Sequence, residues 1–194
     1  MTAPRKRLSH ENRRVQLLDT AAAIVRAEGA DALTLARVAE EAGVSKPIAY
    51  DHFGTRAGLL HALYLRVDAQ QCEAARAAVE ARAETLEKAV EILAASYVDC
   101  VLHIGGEYGT ITAALSTFPE AEALLRAGRE RYARIYLAAL ERFVPMAADE
   151  GVTVMLGVIG AAEALAREVT AGRISRADAI KAIRRIMLGA MLDS

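Results

Sequence analysis

Apolar residues recur at three- and four-residue spacing along almost the whole chain, which predicts helices and little else. Leu18, Ala22 and Val25 form such a stripe, and its helix is expected from Ser9 to Glu28, stopped at Gly29. Thr34 opens the next segment, TLARVAEEAG, as an N-cap residue, with Leu35, Val38 and Ala39 on one side and Gly43 at its end. Ser45 caps a short third helix, Lys46 to His52, with Pro47 in the first turn, where a missing N–H costs nothing. Gly54 breaks it. A long pattern then runs from Thr55 past Leu63 and Val67 toward Arg82.

Helical spacing continues beyond residue 84. One helix is expected from Leu86 to Ile104, interrupted by Gly105, Gly106 and Gly109, and a shorter one from Thr110 to Ser116. Pro119, with Glu120 and Glu122 in the first turn, opens a helix to Phe143. Another spans Gly151 to Ala171. Ser175-x-x-Asp178 reads as a capping box for a last helix to Leu192. The expected fold is all-α with about nine helices.

Composition agrees. The 194 residues include 42 alanines against 13 glycines and 4 prolines, which favours helix and argues against an all-β fold. A chain of this length buries roughly 70% of its unfolded surface and needs no disulfide or metal staple. Cys72 and Cys100 are too few for a disulfide framework, so a reduced, cytoplasmic protein is expected. No run of 18 apolar residues exists, so no membrane span is expected. The basic N-terminus has no apolar stretch behind it and does not read as a secretory signal.

Charge changes the picture more. Lys plus Arg number 24 and Asp plus Glu 25, a net charge of -1, which excludes a general basic coat for nucleic acid. The balance is uneven. Residues 1–56 sum to +2, residues 57–194 to -3, and the first 14 alone to +4. That basic arm has two readings, a strand that follows a DNA duplex or a solubilising tail.

Enzyme signatures are missing. There is no Gly-x-Ser-x-Gly, no Walker-type phosphate loop and no His-Glu-x-x-His. Cys100, His103 and Glu107 share one helix face at a spacing that could hold a metal, but no second ligand cluster accompanies them. No enzyme, metal or cofactor is expected.

The informative segment is Thr34 to Leu60. Two short helices joined by Ala42-Gly43-Val44-Ser45 make a helix-turn-helix, whose second helix would enter a DNA major groove. The segment resembles the TetR family of one-component transcriptional repressors. The resemblance rests on Thr34, Val38-Ala39, Ala42-Gly43-Val44-Ser45, Tyr50, Phe53 and Leu59-Leu60, with Glu28-Gly29 before them. It covers residues 11–65; the rest matches only in style. It implies a DNA-binding domain with a basic arm at 1–54 and a helical ligand-binding and dimerisation domain at 55–194.

Roles implied by the resemblance agree with elementary chemistry. Thr34 holds a phosphate, serves as a plain N-cap, or both. Ser45 caps the reading helix. Lys46 donates to guanine O6 and N7, or contacts a phosphate. Pro47 and Ile48 are expected exposed, facing thymine methyls. Tyr50 and His52 contact phosphates, with packing as the alternative for Tyr50. Arg56 stands where the family usually has Lys and would clamp a phosphate. Two further departures are Ala49, in place of a larger aliphatic, and Asp51, which either accepts from a cytosine amino group or pairs with a nearby Arg.

The middle of the chain is rich in aromatics. Tyr97, Cys100, His103, Ile104, Tyr108, Ile111, Phe118, Tyr132 and Tyr136 are candidate walls of a cavity for a small, largely apolar effector, with ordinary core as the alternative. Leu156 and Ile159 on one helix, with Ile183, Met187 and Met191 on the next, are candidates for a four-helix dimer interface, or pack within one chain. The expected function is a dimeric repressor on a (pseudo)palindromic operator, released when an effector shifts the long helix that begins near Arg56. An activator, or a ligand-independent regulator of the same fold, is the alternative.

Overall fold

The computed structural model describes residues 8–192, and only the backbone of residues 103–108, 148 and 192. The basic arm therefore lies almost entirely outside the described residues. Within them the chain is all-helical: α1 (His10–Glu28), a single 3-10 turn (Ala30–Ala32), α2 (Leu35–Glu41), α3 (Lys46–Phe53), α4 (Arg56–Arg82), α5 (Leu86–Leu115), α6 (Ala121–Leu140), α7 (Ala148–Thr170) and α8 (Arg176–Leu192).

The helix starts follow from their capping residues. The hydroxyls of Ser9, Thr34, Thr55 and Thr85 each accept from a backbone N–H three residues on, which satisfies one orphan donor per helix. Ser175 accepts from the Asp178 N–H at 3.1 Å and donates to its carboxylate at 2.7 Å. At the far end of α4, Arg142 donates to the carbonyls of Val79 and Ala83, as suits a cation at a helix C-terminus.

One expected break is absent. α5 runs unbroken through Gly105, Gly106 and Gly109, and the separate helix at Thr110 to Ser116 is its last part. Each interior glycine costs a helix about 1 kcal/mol. Packing at both ends outweighs that cost here. Val90, Leu93 and Val98 are buried at one end of α5, and Ile111 and Leu115 at the other.

The buried residues form two cores. The first gathers α1 to α3 around Leu17, Val38, Ala49 and Phe53, together with Leu59, Leu60 and Leu63 of α4 and Ile111 and Leu115 of α5. The second gathers the C-terminal half of α4 with α5 to α8, around Val79, Leu93, Tyr136, Met155, Ile183 and Met187. α4 belongs to both. Its start lies tight against α3, where a Cβ on Gly58 would sit 2.1 Å from the Phe53 carbonyl oxygen.

Glycine-to-alanine changes should therefore have opposite signs at two sites. Gly58→Ala must open the α3–α4 junction and should cost about 1–3 kcal/mol. Gly109→Ala meets open space within a helix and should stabilise by up to about 1 kcal/mol. Urea midpoints of the two variants decide it; equal shifts would refute this account of the junction.

Candidate nucleic-acid interface and cavity

α2 and α3 are joined by a tight reversal at Gly43, whose φ of 64° lies in the left-handed region that glycine adopts at no steric cost. The Val44 N–H donates to Ala39 O at 2.9 Å, and Gln16 reaches from α1 to Ala42 O at 3.0 Å. Ala49 and Phe53 turn inward and seat α3 on the core. That fixes which side faces out: Ser45, Lys46, Pro47, Tyr50 and Asp51 are exposed, Tyr50 by 51%. Such exposure removes packing as the reason for Tyr50. Ser45 makes no capping bond through its hydroxyl. Thr34 does cap, accepting from the Arg37 N–H at 3.2 Å.

Two residues sit differently from expectation. Ile48 is half-buried and packs on the first core beside Val44, because its position on α3 lies next to the inward stripe. Arg56 is turned into the domain: its Nε donates to Leu33 O and its Nη2 to Ala30 O, both at 2.8 Å, with Asp31 at 3.8 Å. The charge expected on a phosphate thus ties α4 to the 3-10 turn. Among the described residues, Asp51 lies 4.0 Å from His10 Nε2.

His52 is half-buried. Its ring lies 4.1 Å from that of His10, and its Nδ1 is enclosed with no hydrogen-bond partner among the described residues. Burial, then the charge of His10, holds its pKa below the ordinary histidine value. Arg14 donates to His52 O at 3.1 Å and stacks 4.9 Å from the Phe53 ring centre, pinning the end of α3 to α1.

A cavity of about 40 Å³ lies where α4, α5, α6 and α7 meet. Tyr97, Cys100 and Tyr132 line it. Tyr136 lies behind, buried, bonded to the Tyr132 hydroxyl and to Leu93 O, each at 3.2 Å. Burial holds the Cys100 thiol up at about 11, which favours its protonated form. Ile111 and Phe118 are not in this cavity; they pack on the first core, because α5 runs straight on to it. The side chains of His103, Ile104 and Tyr108 lie outside the described residues.

Sequence reading missed the polar part of the wall. Asp68, Gln71, Arg129 and Glu163 line it, with Tyr64 and Ile159. Asp68 is 3% exposed and pairs with Arg131. Burial pushes its carboxyl up, and the Arg131 hydrogen bond and charge oppose that. The signal was present: Asp68 stands between Tyr64 and Cys72 at four-residue spacing, a charge on the apolar side of α4. Tyr64 presses on Gly128, where a Cβ would lie 2.1 Å from the tyrosine oxygen.

The candidate dimer residues face inward. Ile159, Ile183, Met187 and Met191 are each at most 3% exposed within one chain, and Leu156 is half-buried. Their period marks an apolar helix side, and that side packs on α5 and α6. Among the described residues no group of three His, Cys, Asp or Glu could hold a metal, and no helix is long and apolar enough to cross a membrane.

Comparison with known proteins places this geometry. Residues 17–63 match the family described as bacterial regulatory proteins, tetR family. No curated protein is similar enough to count as a match. Among solved structures, a TetR transcriptional regulator from Rhodococcus sp. RHA1 has a TM-score of 0.73 at 19% identity, over 95% of this chain and 99% of its own. A TetR-family transcriptional regulator from Pectobacterium atrosepticum gives 0.70 at 22% identity, over 97% and 98%. One from Streptomyces coelicolor gives 0.67 at 21% identity, over 96% and 85%. The segment from α1 into α4 thus matches the DNA-binding unit of that family, and the whole chain has the fold of these solved structures.

Proposed function

We propose that the protein is a cytoplasmic, homodimeric repressor that leaves a (pseudo)palindromic operator when a small molecule fills the cavity. The observation that carries this reading is Tyr64. It belongs to the core that seats the reading helix and also lines the cavity. Filling the cavity therefore displaces a side chain on which the reading head rests. Such coupling requires the effector to bind the two states with different affinity.

On this reading α3 lays Lys46, Pro47 and Tyr50 into the major groove, with Thr34 at the N-terminus of α2 near a phosphate. Ser45 and His52 border that surface, and Ile48 contributes at most its exposed edge. Arg56 acts by holding the 3-10 turn. An eight-residue reading helix touches few bases, so two copies on successive half-sites supply affinity and spacing.

The dimer face we propose is the outer side of α7 and α8. Thr153, Gly157, Gly160 and Ala164 are exposed there at helical spacing, with Ile186 exposed by 41% on α8. Nothing lies within 4 Å of a Cβ added at Gly157, Gly160 or Gly189. Among the described residues no contact requires glycine at those helix-interior positions, despite its cost of about 1 kcal/mol each. Close approach of a second helix supplies the reason.

Fluorescence anisotropy on DNA from upstream of the protein's own gene tests the reading. Salt-sensitive, sequence-preferring binding is expected, and its absence would sink the proposal. Lys46→Ala should reduce discrimination between operator and scrambled DNA by about 1–3 kcal/mol, while leaving non-specific binding largely intact. A reporter gene distinguishes repression from activation by the sign of its response. Gly160→Leu should convert the dimer to a monomer in sedimentation and weaken operator binding, with unchanged helical circular dichroism. A Gly160→Leu dimer as tight as wild type would refute the assigned face.

A further inference from the structure

The cavity has a chemical bias. We propose that it takes an organic monocation, an ammonium or amidinium group on an aromatic or branched apolar body, with Asp68 as its counter-ion. This rests on the cavity being the effector site and adds the class of effector.

Charge is the first argument. The lining carries two carboxylates, Asp68 and Glu163, and one cation, Arg129, while Arg131 pairs with Asp68 from outside it, so the site is neutral with Arg131 in place and -1 once that guanidinium leaves. An anionic ligand would meet both carboxylates. A cation meets them as partners.

The second argument is the state of Asp68. A carboxylate this buried requires a cation beside it. Its present partner, Arg131, is 38% exposed at the side chain, and among the described residues the Arg131 Nε is enclosed without a hydrogen-bond partner. The guanidinium is thus a cation already seated against the carboxylate, with solvent on its other side. Swinging Arg131 outward uncovers Asp68 for a ligand cation and returns the guanidinium charge to water. A neutral ligand gains nothing from that exchange.

The third argument is the wall. Tyr97 and Tyr132 stand edge to face with ring centres 5.8 Å apart, and Tyr64 closes the side toward the reading head. Aromatic faces attract a cation through their quadrupole, most strongly where water is excluded. A volume of about 40 Å³ holds one or a few waters, so any effector must move a wall. Tyr64 is the wall that also belongs to the DNA-binding core.

The test compares three probes of similar shape on the full chain without DNA: benzyltrimethylammonium, neutral neopentylbenzene and anionic phenylmethanesulfonate. Tyrosine fluorescence and thermal shift report binding. The cation should bind about tenfold or more tighter than the neutral probe, and the anion weakest. Asp68→Asn should weaken the cation about tenfold and leave the neutral probe unchanged. Arg131→Met should tighten it by removing the resident competitor. Glu163→Gln, at a half-buried position with little bearing on folding, should weaken it several-fold.

Equal affinity for neutral and cationic probes overturns the proposal. So does preference for the anion, no effect of Glu163→Gln on a folded protein, or no cation binding at millimolar concentration. Operator titration of the same protein separates the two readings. DNA binding without cation binding removes this inference alone; cation binding without DNA binding removes the repressor reading and leaves the site.

Discussion

Everything in this molecule depends on α4 being shared by two cores. Leu59, Leu60 and Leu63 close the core beneath the reading helix, while Cys72, Ala75 and Val79 belong to the core of the helical body. Tyr64 and Asp68 lie between the two sets. A helix cannot slide or tilt at one end alone when both ends are packed at close to crystal density. α4 therefore joins the packing of the body to the packing beneath α3. Gly58 strengthens this by leaving no side chain between α4 and the carbonyl end of α3.

The Asp68–Arg131 pair stands at the middle of that shared helix. A buried ion pair is weak evidence for stability, since desolvation offsets its attraction. Breaking one half leaves a buried charge and costs about 3–5 kcal/mol. An apolar pair at these positions would hold the helices equally well. An ion pair differs in being exchangeable: one partner can leave if another of the same sign arrives. That property suits the midpoint of a switch better than the centre of a core.

Local chemistry was legible in the sequence. Thr34, Gly43 and Pro47 announce the helix-turn-helix because a cap, a left-handed turn and a first-turn proline are properties of a few neighbouring residues. Tyr97 and Tyr132, which line the cavity, stand out in the sequence by aromatic clustering. What depends on distant partners was not. The glycines of α5 read as a break because their cost is local, whereas the packing that overrides it comes from two separate cores. Ile159, Ile183, Met187 and Met191 show an apolar face, but periodicity does not say whether the covering helix belongs to the same chain. Arg56 has the charge for a phosphate; only the tertiary fold brings the carbonyls of Ala30 and Leu33 within its reach.

The entry of Ile111 and Leu115 into the first core has an evolutionary consequence. The reading head is not closed by its own helices, since the end of α5 fills part of its interior. Recombination that moved α1 to α3 and the start of α4 onto another body would leave an unfilled apolar hollow. The new body would need to present a comparable pair of aliphatic side chains there. Exchange of such heads is therefore confined to bodies that keep this plug, while their outer surfaces and cavities remain free to diverge.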